Sequence, residues 1–448
     1  MPTTDRTRLL ASMLVLTLIS LLAWPTHSAH AARPYVPTFL EPEPEEPKPD
    51  EPKPEEEDAD GEETDDDASE SKDKDAAADD EADDEQETDE DDADQDTYIA
   101  IVGAEVHPVA GSTLVDAVVL IKNDVIHAVG RDVEVPEEAE VIDASGHQVY
   151  PGLVAIRSSS IIGDAPAGDS TNVFSLSMNL ALAGGVTTVG SGNAAGKLTF
   201  GTLDGIDLAS NTFFELRYQT SNPKSRREVR AAFERARQYQ RDLERYQREL
   251  KDDPEAEKPD DAPTKGRGGE YLKLLRGQRT AIAAANEAQD ILELAQLATD
   301  YGFDLVIRGG REAWTVAPQV ARSGAAVIAT PRMRTPPDPQ LNRPTGSSIE
   351  NAAILHQHGV RLAIVPGQTG ITLWGLGGQD LQHLPLEAAF AVRGGLPENA
   401  AIRAITLDAA AIMGVDHRVG SIEPGKDADL IITDGDLLHY LTIVCVTC

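Results

Sequence analysis

The chain has 448 residues with 77 Asp and Glu against 39 Lys and Arg, a formal net charge of −38 that sets it against polyanionic partners such as nucleic acid. The charge is concentrated: residues 41–96 hold 32 acids and four lysines, a net of −28, while residues 97–448 carry −12, an ordinary value for an acidic globular protein. Both cysteines, Cys445 and Cys448, lie in the last four residues, so no disulfide framework organises the fold.

Arg6 and Arg8 precede an apolar run from Leu9 to Trp24, and Ala29-His30-Ala31 puts small residues at the two cleavage-determining places. This is the pattern of an export signal over residues 1–31, which sends the rest to the periplasm or the extracellular space. The run is short for a membrane span of about 20 residues, so membrane attachment is expected only if the signal stays uncleaved. Residues 32–96 begin Pro-rich and pass into an Asp/Glu/Ala run. From residue 41 on this segment has no aromatic or branched aliphatic side chain, hence nothing to bury, and it reads as a disordered acidic linker.

From Thr97 to Tyr150, short alternating apolar runs punctuated by Gly111, Asn123-Asp124 and Gly130 predict strands of a small antiparallel sheet. From Pro151 to Val415, strand-like runs (Gly185–Val189, Asp304–Ile307, Ala325–Ala329, Arg361–Val365) alternate with helical stretches (Ala288–Tyr301, Ile349–His358, Pro385–Arg393, Glu398–Met413). That alternation predicts a parallel sheet flanked by helices, open or closed into a barrel. A charged insertion over 224–268 contains a helix from Lys224 to Leu250 with few apolar positions, expected to project over the surface. Residues 416–448 are turn-rich and end in a strand, Leu430–Thr433, expected to join the N-terminal sheet.

Several motifs resemble the amidohydrolase superfamily, in its imidazolonepropionase-like branch. They are Ile142-Asp143-Ala144-Ser145-Gly146, Val149-Tyr150-Pro151-Gly152-Leu153, Gly185-Val186-Thr187-Thr188-Val189, Gly395-Leu396-Pro397 and the closing segment Gly420 to Ile432. The resemblance runs from about Tyr98 to Tyr440. It implies an α/β fold, a (β/α)8 TIM-like barrel beside a small β-sandwich-like domain formed by both chain ends, and hydrolysis of C–N bonds by metal-activated water. Zinc is the cofactor the family leads one to expect, held by imidazoles and a carboxylate.

The ligand places are altered. Where the family pattern runs Ile-Asp-x-His-x-His, this chain has Val154-Ala155-Ile156-Arg157-Ser158-Ser159, with Arg157 and Ser159 at the histidine places. Ala284 and Asn286 stand at the next pair, Gly309 follows Arg308 at the third, and Val365-Pro366-Gly367-Gln368 replaces the strand ending in Asp. Only His356, His358 and His383 of the ten histidines fall in the barrel region, and residues two apart on a helix, as His356 and His358 are, point too far apart to share an ion. Ser191 to Leu198 lacks the glycine and the Ser/Thr of a phosphate-binding loop, no nucleophile elbow is present, and Cys445-Val446-Thr447-Cys448 supplies half a zinc site.

The expectation is an exported amidohydrolase-like protein without catalytic or metal residues and without a cofactor, a pseudoenzyme that binds a ligand or scaffolds an assembly. Arg157, Ser159, Asn286, Arg308 and Gln368 are its candidate pocket residues, and Arg157 favours an anionic small molecule. The alternative is an active hydrolase of non-peptide C–N bonds using a non-standard site. A third reading gives the work to the acidic linker and the charged helix.

Overall fold

The computed structural model describes residues 96–163, 167–259, 267–374 and 378–447. The expected export signal, the expected linker up to residue 95 and Cys448 lie outside the described residues. Alternating apolar residues form β1 (Tyr98–Val106), β2 (Leu114–Lys122), β3 (Val125–Gly130), β4 (Glu140–Asp143) and β5 (Gln148–Pro151). β2 and β3 turn at Asn123-Asp124, whose φ values of 48° and 64° are those a tight hairpin demands and Asn and Asp tolerate.

There follow β6 (Leu153–Ala155), α1 (Leu176–Ala183), β7 (Val186–Ser191), β8 (Ala194–Lys197), β9 (Asp207–Ala209) and β10 (Phe213–Glu215). The phosphate-loop-like stretch from Ser191 to Leu198 is thus the end of β7, a tight turn and the antiparallel strand β8. The insertion supplies α2 (Pro223–Asp252) and α3 (Arg267–Leu275), and alternation resumes with β11 (Thr280–Ala285), α4 (Ala288–Tyr301), β12 (Leu305–Gly309), α5 (Ala317–Ser323), β13 (Ala326–Ala329), α6 (Asn351–Gln357) and β14 (Leu362–Ile364). The chain then runs through α7 (Leu384–Arg393), α8 (Glu398–Ala404) and α9 (Leu407–Met413) to β15 (Leu430–Thr433) and β16 (Val444–Thr447).

Three sheets result. β15 lies antiparallel to β5 and pairs β16, so strands from both ends of the described chain share one seven-stranded sheet. β10 to β14 form a five-stranded parallel sheet, and β6 to β9 a four-stranded sheet in which β6 and β7 are parallel. One apolar cluster takes Val154 of β6, Phe213 of β10, Ile282 of β11, Val306 of β12 and Ile328 of β13, with Met413 of α9 against them. Burying each such side chain contributes about 1.5–3 kcal/mol, so this shared cluster holds the strands of the two sheets together.

Three expectations change. The N-terminal sheet is mixed and not antiparallel, because β4 and β5 return beside β1 running in its own direction. Glu398 to Met413 is two helices, split at Ile405-Thr406, both fully buried. There the Ile405 carbonyl accepts from the Val154 amide at 2.8 Å, so the break exchanges helical bonding for a contact with β6. The charged helix also does not project along its whole length. Asn222 caps α2 and Pro223 opens it, and its first half docks through Val229, Phe233 and Ala236. The Phe233 ring stacks on Tyr301 and Phe303 at 4.6 and 4.9 Å and meets Tyr271 edge-on at 4.8 Å, while the last two turns of α2 are exposed.

Candidate functional site

The loops after β6, β11, β12, β13 and β14 converge at the C-terminal ends of the parallel strands, where an α/β sheet holds its ligands. They enclose a cavity of about 290 Å3. Alternation along β11 and the residue after it decides which side chains reach it: Ala284 and Asn286 line the cavity, whereas Ala283 and Ala285 face the core.

Three of the five candidate residues meet there. Arg157, Asn286 and Arg308 all line the cavity. Ser159 and Gln368 do not: Ser159 is exposed and bonds Thr369 through its amide (2.8 Å) and hydroxyl (3.3 Å), and the Gln368 side chain accepts from the Thr372 hydroxyl in the adjoining turn. Thr369 lines the cavity in their stead. Sequence reasoning missed it, and missed Arg311, Met333, Ser347, Ser348 and Asn351, which also line the wall. Only Arg311 had a signal, a second arginine three places after Arg308 beyond two glycines.

The electrostatics are lopsided. Arg308 donates to Glu215 at 3.1 Å, but Arg157 is half-buried and has no carboxylate partner among the described residues. Burial pulls the Arg157 guanidinium below its ordinary value, neighbouring Arg308 pulls it further, and Glu215 opposes both. The group stays charged, because a guanidinium does not lose its proton in a protein. Arg311, also half-buried, keeps its Nε buried and without a hydrogen-bond partner among the described residues.

The chain around Gly309 fixes this arrangement. Gly309 has φ +100° and Gly310 φ +57°, and a Cβ at Gly309 would collide with Oδ1 of Asn286. Behind the cavity sits Glu312, 3% exposed, whose carboxylate accepts from the Ala288 amide (3.0 Å), the Gly346 amide (2.9 Å) and Arg343 (2.8 Å). It supplies α4 with the N-terminal acceptor that Glu287 does not, and it pins the 330–350 loop whose Met333, Ser347 and Ser348 face the cavity. Burial raises the Glu312 carboxyl, but Arg343 and the two amides outweigh it and hold the group below its usual range.

Zinc takes imidazole, thiolate or carboxylate. The strand ends that line the cavity present guanidinium, amide, hydroxyl or no side chain, the nearby carboxylate of Glu215 at the end of β10 is bonded to Arg308, and among the described residues no three His, Cys, Asp or Glu side chains converge as a metal site requires. This donor set does not fit the zinc that the resemblance implies.

An amidohydrolase family model matches residues 286–447. The crystal structure of an amidohydrolase from Thermotoga maritima MSB8 superposes with a TM-score of 0.62 at 24% identity, covering 78% of this chain and 97% of that one. Over residues 286–447 the chain is similar in sequence to the amidohydrolase family, and its fold is similar to that of the Thermotoga protein. Amidohydrolase tasK of Hapsidospora irregularis is 41% identical over 59 residues, 13% of this chain, and the match spans 6% of that protein's length. Dihydropyrimidinase from Brevibacillus agri NCHU1002 aligns at a TM-score of 0.46 and 13% identity over 79% of this chain and 94% of its own.

Proposed function

We propose that this amidohydrolase relative is a metal-free pseudoenzyme whose former metal position has become an anion-binding pocket, in an exported protein that binds a ligand or scaffolds an assembly. One observation carries the reading: Arg157 and Arg311 line the same cavity and neither forms an ion pair with a carboxylate among the described residues, Glu215 acting on Arg157 only from a distance while paired to Arg308. An unpaired half-buried cation is costly, and an anionic ligand offsets that cost with charge-assisted, bidentate bonds. Arg157 also puts fixed positive charge where a cation would sit. In this reading the parallel strands complete a (β/α)8 barrel, supported by the Val154 to Ile405 bond beside β6, and the seven-stranded sheet is the small domain beside it. Export rests on the residues before Pro34 alone.

Calorimetric titration with inorganic phosphate and with benzoate tests the pocket. One of them is expected to bind with 1:1 stoichiometry, at least tenfold more weakly in Arg157→Gln and Arg311→Gln; binding that both variants leave unchanged sinks the reading. A second reading has one point in its favour: Glu215 reaches Arg308 and is a carboxylate from which a metal-free hydrolysis of non-peptide C–N bonds could draw a base. Turnover of lactam and amide substrates that Glu215→Gln abolishes would replace the first reading with this one.

A further inference from the structure

A larger cavity, about 960 Å3, lies away from the arginine pocket, between the seven-stranded sheet and the connection from β8 to β9. Its walls are apolar: Ile99 and Ile142 of the sheet, Leu182 of α1, Leu198 beyond β8 and Val444 of β16. One end is charged. Lys197 Nζ lies 2.7 Å from Asp429 Oδ1 and 3.1 Å from Asp427 Oδ2, and Arg418 reaches the same Asp427 oxygen at 2.7 Å.

This cluster is not closed on itself. Asp429 is 7% exposed, and its Oδ2 has no hydrogen-bond partner among the described residues. Leaving a buried carboxylate oxygen unpaired costs on the order of 1–3 kcal/mol or more, a cost that a donor from outside the described chain would offset. Exposed Asp124 and Asp204 also line the cavity, giving four carboxylates against two cations. The local field therefore favours a positive ligand, while the aliphatic walls favour a chain or ring over a hydrated ion.

We propose that this cavity binds an amphipathic amine, with its ammonium at Asp429 and its apolar body along Ile99, Ile142 and Leu182. The volume suits it: 960 Å3 corresponds to roughly thirty waters at about 30 Å3 each, far more than a metal ion or lone ammonium fills. The proposal is independent of the arginine pocket and stands if that reading fails.

Titration calorimetry of the full chain in 0.15 M salt, where exposed charges are screened beyond about 8 Å, tests it with octylammonium. Ethylammonium carries the same charge without the chain and reports binding to the acidic segment at residues 41–96; octanoate carries the chain with the opposite charge. Octylammonium is expected to bind with 1:1 stoichiometry, at least tenfold more tightly than ethylammonium, with octanoate silent. Asp429→Asn should weaken it at least tenfold. Ala183→Trp, at an exposed position on the cavity wall, should abolish it with the charge cluster intact and decides the matter if Asp429→Asn fails to fold. Octanoate binding as well as octylammonium, or an octylammonium affinity that Ala183→Trp leaves unchanged, overturns the proposal. So does a dimer that this variant dissociates, which would give the cavity to a second copy.

Discussion

Replacing Glu312 by Gln keeps the shape of a buried side chain but removes its charge and one of its acceptor oxygens. Two backbone amides and Arg343 depend on that carboxylate. Hydrogen bonds to charged groups contribute about 1.5–3 kcal/mol each, and a glutamine oxygen can still serve one of the amides. Arg343 is 38% exposed, so its share is about 0–1 kcal/mol. The expected loss is therefore about 1.5–4 kcal/mol, or, at about 2.1 cal/mol/K per residue over residues 97–448, a drop of roughly 2–5 °C in Tm. The pH profile separates this from a steric defect. Because the folded Glu312 holds its proton less tightly than the ordinary value of 4.5, the unfolded chain takes up the proton first as pH falls. Its contribution is complete above about pH 4.5 and fades as pH drops through the lower folded value, so the gap between wild type and Glu312→Gln narrows on acidification. Calorimetric melting from pH 3 to 7, with hydrogen exchange at the Gly346 amide, checks both. A Tm gap that is absent at pH 7, or one that stays constant to pH 3, refutes the reasoning.

Phe233→Ala removes the ring that anchors α2 and should cost about 3–5 kcal/mol, whereas Arg248→Ala on the exposed part of the same helix should fall within about 0.5 kcal/mol; denaturant melts of both variants compare them. Gly309→Ala places a Cβ against Asn286 at φ +100° and should cost at least about 1–3 kcal/mol, read as a lowered Tm. Deleting residues 430–448 exposes β5 as an edge and takes buried Leu430, Ile431 and Ile432 out of the core, uncovering Val149 and its neighbours, so Tm should fall sharply; an unchanged melt contradicts the shared sheet. Limited proteolysis is expected to cut first within residues 41–96 and to leave a stable product starting near Thr97.

Local signals were readable where they were strong. The bounds of α4 follow from its apolar spacing and from Gly302, which takes φ +71° beyond the last turn. Arg157 and Asn286 were found because motif spacing counts residues from recognisable strand ends, and the strands put both at the same mouth. Ser159 and Gln368 lie off the cavity wall because neither continues its strand: Ser159 turns aside to bond Thr369, and Gln368 bonds Thr372 within its own turn. The break at Ile405-Thr406 was invisible because its cause is a partner some 250 residues away. Arg311, Ser347 and Ser348 reach the cavity through the Gly309-Gly310 reversal and the Glu312 clamp, tertiary contacts with no local period.

The claim that an anion site stands where the family binds metal is tested most directly by elemental analysis of residues 97–448 after zinc loading and desalting, without the acidic segment whose carboxylates would hold ions of their own. The account predicts far less than one zinc per chain. One tightly held zinc per chain, accompanied by chelator-sensitive hydrolysis of an amide or lactam, would contradict it.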